Sequence, residues 1–92
     1  MIVRISGEGQ YRLADSDAER LNELENRVVA IVEGDEEDGF ADAFGAVLDY
    51  VRVQGTLLGD DELDASDVIL PPADLSFAEA GTEFTGDGLI PD

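Results

Sequence analysis

Ninety-two residues allow one small domain, spanning 1–92, whose core is modest because a chain of this length buries only about 60 to 70% of its unfolded surface. Five arginines, no lysine and 23 aspartates and glutamates give a net charge of -18, which repels a phosphate backbone and an anionic bilayer alike. With neither cysteine nor histidine, the chain also lacks disulfides, thiolate metal sites and the usual general base.

The chain opens on a β-branched run, Ile2, Val3 and Ile5, which Gly7-Glu8-Gly9 breaks before Gln10-Tyr11-Arg12-Leu13 alternates again, so a β-hairpin is expected. Asp15 and Ser16 offer helix caps, and Glu19 stands in capping-box position to Ser16. The helix that follows places Leu21, Leu24, Val28 and Ile31 on one stripe, with Glu23, Glu25 and Arg27 off it. Gly34 is expected to end it and Asp35 to cap the next helix. That second helix carries Phe40, Phe44, Val47, Leu48 and Val51 on a buried face. The short link between the two predicts an antiparallel helical hairpin.

Gly55 and Gly59 mark the end of the second helix, and Asp60-Asp61-Glu62-Leu63-Asp64 reads as a solvated loop. Val68-Ile69-Leu70, halted by Pro71-Pro72, supplies a short third strand. Ser76 and Glu79 form a second capping box, opening a weaker C-terminal helix that Gly81 and the turn Gly86-Asp87-Gly88 limit. Leu89-Ile90-Pro91-Asp92 is apolar enough to dock back on the body. The fold class is α+β.

The chemistry-bearing patterns are weak. Asp60, Glu62 and Asp64 alternate like the first ligands of a calcium loop, but Ala65 falls where glycine is required and Pro71 where the bidentate glutamate belongs. The same search from Asp35 fails at Gly39 and Ala46. Ser6, Ser16, Ser66 and Ser76 have no histidine or lysine to activate them, and Glu8 within its glycine turn repels phosphate. No catalytic, metal or cofactor-binding residues are assigned, and no enzyme is expected. Phe40 and Phe44 belong to the core stripe. Tyr11 and Tyr50 mark core edges or contact patches, and Leu70-Pro71-Pro72 a rigid connector.

Because the acids are scattered along the whole chain, they read as a solvent adaptation of the kind seen in extreme halophiles, where screening relieves the self-repulsion. A hydrophobic content of 43% keeps the chain out of the disordered class. No apolar run is long enough to span a bilayer, and Met1 to Ile5 is too short for a signal peptide, so a cytoplasmic location is expected.

Taken together, several segments resemble the PspA-associated domain family, PspAA. They are Met1-Ile2-Val3-Arg4-Ile5-Ser6-Gly7-Glu8-Gly9-Gln10-Tyr11, Leu21-Asn22-Glu23-Leu24, the acidic turn 34–38, Asp61-Glu62-Leu63, Ser66-Asp67-Val68-Ile69-Leu70-Pro71-Pro72-Ala73-Asp74 and Gly88-Leu89-Ile90-Pro91. Residues 81–87 are more broken by glycine than that family's pattern. The resemblance implies a non-enzymatic accessory domain encoded beside PspA-like coiled-coil proteins, which are membrane-associated scaffolds of the envelope-stress response. It also implies that membrane contact is indirect, through that partner, and it carries no catalytic residues. Two other readings remain open: a divalent-cation or small-ligand sensor using the acidic loop 60–67, and an acidic mimic of nucleic acid. The even scatter of the carboxylates disfavours the mimic.

Overall fold

Gly7 and Gly9, at φ of 84° and 135°, make the turn that only glycine adopts freely. It joins strand β1 (Ile2–Ile5) to the antiparallel strand β2 (Gly9–Arg12). Met1 and Leu13 exchange two further backbone hydrogen bonds of 2.8 and 2.9 Å, lengthening the ladder. The computed structural model describes residues 1–59 and 65–83. The predicted loop 60–64, Phe84, the turn 86–88 and the closing residues 89–92 lie outside them.

Beyond the hairpin run helix α1 (Ala18–Glu33) and helix α2 (Phe40–Gln54), each entered through a 3-10 turn. Ser16 sits inside the first of these turns, Asp15–Asp17, and α1 carries no side-chain cap bond, so the Ser16–Glu19 capping box does not form. A cap must be extended where this backbone is already wound. Asp35 likewise does not cap α2, which follows Gly39. It ends α1 instead. At φ 56° Asp35 takes the left-handed position expected of glycine; its N–H donates to Val32 O at 3.1 Å, and Glu36 N–H donates to Ile31 O at 3.1 Å. That is a Schellman closure with aspartate where glycine is usual, and Gly34 stays right-handed.

The hairpin of helices packs through Leu21, Leu24 and Val28 against Phe40, Phe44, Val47, Leu48 and Val51, all buried. Glu25 departs from the expectation: it is fully buried on α1. At four residues from Leu21 and Val29 it stands on the same side of the helix, so periodicity overrides its polarity.

Gly55 lets the chain leave α2 and fold onto the sheet, since a Cβ there would stand 2.6 Å from Val51 O and 3.0 Å from Leu13 and Tyr11 side-chain atoms. Strand β3 (Thr56–Leu57), which the glycine-bounded reading of this stretch omits, pairs antiparallel with β2. Strand β4 (Val68–Leu70) is the expected third strand of the sequence and pairs parallel to β1, giving the order β3-β2-β1-β4. The register puts Val3, Ile5, Tyr11, Val68 and Leu70 on the face toward the helices, and Arg4, Gln10 and Ile69 on the other. The architecture is thus a mixed four-stranded sheet under a helical hairpin, an α+β fold.

Helix α3 (Phe77–Glu83) starts at the predicted capping box. Glu79 N–H donates to Ser76 Oγ at 3.2 Å, and Ser76 N–H reaches back to Glu79 Oε1 at 3.2 Å. It runs through Gly81 instead of stopping there, because the buried Ala80 packs into the core beneath it. Phe77 meets Phe40 edge-on at 5.6 Å, and Phe40 stacks on Phe44 at 5.5 Å.

Candidate interaction surface

The core stripe of α2 leaves Ala46, Tyr50 and Val53 on its flank, one side of an open groove of about 310 Å³ between α1 and α2. Arg20 and Leu24 line the opposite side. Leu24 is buried and forms the floor, whereas Val53, at 76% exposure, is among the most exposed large apolar side chains of the described residues. Ala46, Tyr50 and Val53 together give the groove an apolar side.

Tyr50, expected at a core edge or a contact patch, is half-buried against the core and also lines this groove. Its hydroxyl donates to Asp17 Oδ1 at 2.9 Å, tying the groove's end to the turn before α1. Partial burial, and then the adjacent Asp17 carboxylate, push the phenol's pKa above its ordinary value, with Arg20 opposing. Arg20 Nη1 donates to Glu23 Oε2 at 3.1 Å and Arg52 Nη1 to Asp49 Oδ1 at 3.0 Å; both are exposed pairs three residues apart.

Arg52 also reaches across the fold. Its Nε donates to Glu8 Oε1 at 2.9 Å and its Nη2 to Glu8 Oε2, a two-pronged ion pair between α2 and the β-hairpin turn. The bond from Arg52 holds the Glu8 carboxyl below its usual range, against a smaller opposing effect of burial. Glu8 therefore has a structural task in the glycine turn.

Other residues singled out in the sequence have packing roles. Tyr11 lies half-buried on the helix-facing side of the sheet. Pro71 is buried, and Pro72 O accepts from Leu75 N–H at 3.0 Å, as a rigid connector into α3 requires. At the end of the acidic loop 60–67, Gln10 Nε2 donates to Ser66 Oγ at 2.8 Å and Ile2 N–H to Asp67 Oδ2 at 2.7 Å, so both residues pin the sheet. Residues 60–64 of that loop are outside the described set. Among the described residues no three acidic side chains converge as a cation site, and no helix is long and apolar enough to cross a membrane.

The core-facing stripe of α2 does not announce the groove, although Tyr50 beside that stripe marks a core edge or contact patch. The signal was present in Ala46 and Val53, which keep helical spacing beside that stripe.

Compared with known proteins, residues 1–92 match the family model of PspAA, the PspA-Associated protein. No curated protein and no solved structure matches.

Proposed function

The chain belongs to the PspA-associated protein family, and from that premise we propose that it is a non-enzymatic accessory domain that binds a PspA-like coiled-coil scaffold. The observation that carries this reading is the family match along all 92 residues. The groove between α1 and α2 supports it, because it offers apolar surface with charged flanks instead of a deep, desolvated cleft.

Charge shapes how such a domain works. At -18 it does not approach anionic lipid or nucleic acid by itself, so its place at a membrane comes through the scaffold, on the cytoplasmic side where an envelope-stress scaffold acts. Most of the carboxylates form a soluble coat suited to concentrated salt, and salt at that level screens exposed ion pairs. The partner must then be held largely by apolar contact, with charge steering the encounter. Co-purification from the native host in concentrated potassium chloride tests the reading: the PspA-like protein is expected in the recovered material, and its absence removes the reading's main support.

A further inference from the structure

The two helices that flank the groove carry the same spacing with opposite charge, and of these residues Arg20, Leu24, Ala46, Asp49 and Val53 line the groove itself. On α1, Arg20, Leu24, Arg27 and Ile31 follow one another at intervals of four, three and four residues; on α2, Asp42, Ala46, Asp49 and Val53 do so at the same intervals. Such alternation is the period of a coiled-coil seam, and it repeats each charge and each apolar residue every seven positions. The helices run antiparallel, with Ile31 3.4 Å from where a Cβ on Gly39 would stand and Asp17 bonded to Tyr50 at the other end. The two patterns, each about 16 Å long, therefore run alongside in opposite directions and meet at the groove through Arg20, Leu24, Ala46 and Asp49.

We infer that the groove is the acceptor for one further helix, which completes a three-helix bundle. That helix has an apolar four-three seam over Leu24, Ala46, Tyr50 and Val53, acidic side chains along Arg20 and Arg27, and basic ones along Asp42 and Asp49. Charge selects this occupant. A second copy of the chain would bring -18 against -18, whereas a helix of mixed charge meets a positive wall and a negative one. The bonds now engaging Arg20 and Asp49 are exposed i,i+3 pairs, which cost little to exchange. The inference rests on the accessory reading for the partner's name, and on the groove alone for its shape and charge.

The probe is a synthetic helical peptide of about three heptads, with a leucine seam, glutamates on one flank and lysines on the other. Nuclear magnetic resonance of the full chain is expected to show saturable shifts at Leu24, Ala46, Tyr50 and Val53. Val53→Glu, exposed enough to leave the fold intact, should weaken binding at least about tenfold. The double variant Arg20→Glu, Arg27→Glu should lose the peptide and regain one whose glutamates on that flank are changed to lysine. No binding, shifts centred on Ile69 of the opposite sheet face, or a dimer of the chain that Val53→Glu dissolves would each overturn the inference. A parallel titration with the PspA-like protein of the same organism separates the two ideas. Binding that Val53→Glu leaves untouched overturns the groove and spares the accessory reading; peptide binding without scaffold binding supports the groove and removes that reading.

Discussion

The Arg52 guanidinium grips both carboxylate oxygens of Glu8, so the last turn of α2 is tied to the β1–β2 turn across 44 residues of sequence. Both side chains keep about a third of their surface exposed, which limits the pair to about 1 kcal/mol. Since the carboxyl is held below its ordinary value near 4.3, this contribution is complete above that pH and disappears as pH falls through the lowered folded value. Melting temperatures of the wild type and Glu8→Gln, compared from neutral pH downward, should show a wild-type advantage that vanishes in acid. Comparing the two proteins cancels the general relief of repulsion that protonating the other carboxylates brings.

At the end of α1, Asp35 holds a left-handed backbone and places a negative charge where the helix dipole is also negative. Asp35→Gly removes both costs and should raise stability by about 0.5 to 1 kcal/mol, despite the added freedom of the unfolded chain. Asp35→Val, β-branched at the same φ, should lower it. Thermal denaturation of the two variants checks the opposed signs.

Tyr50 should titrate late. Its raised pKa means that the stability it lends is complete below the unfolded value near 10 and is lost as pH climbs through the folded one. Tyrosinate absorbance of the wild type against Tyr50→Phe isolates this group from Tyr11. Asp17→Asn, which removes the carboxylate beside the hydroxyl, should bring the titration back toward the ordinary range.

Dilute buffer should be the least favourable medium for this fold. With -18 charges on 92 residues, raising potassium chloride from about 0.1 M to about 1 M shortens the screening length from about 10 to about 3 Å. The melting temperature is expected to rise by several degrees, and an unchanged value would mean that self-repulsion is not what the coat imposes on the fold.

How much of this was legible follows from which forces are local. Ile2 to Leu13, the Phe40 to Val51 stripe and the Ser76–Glu79 box depend on neighbours in sequence, and each forms as read. Thr56–Leu57 becomes a strand only because Tyr11 and Arg12 lie alongside, a pairing no local pattern announces. Gly34 stops α1 as its residue type suggests, whereas Asp35 takes the left-handed position beside it instead of capping α2. Glu25 was readable from its spacing and misread from its charge. The groove needed the fold itself, because only the sheet decides which flank of each helix is covered and which is left open.

Binding of this domain to a PspA-like scaffold is expected to rest on contacts that outlast salt. Calorimetric titration of the purified scaffold from the same organism with the full chain, in concentrated potassium chloride and at two temperatures, tests it most directly. Saturable binding with a negative heat-capacity change, the mark of buried apolar surface, is the predicted result. Heats indistinguishable from a buffer blank at both temperatures would contradict it.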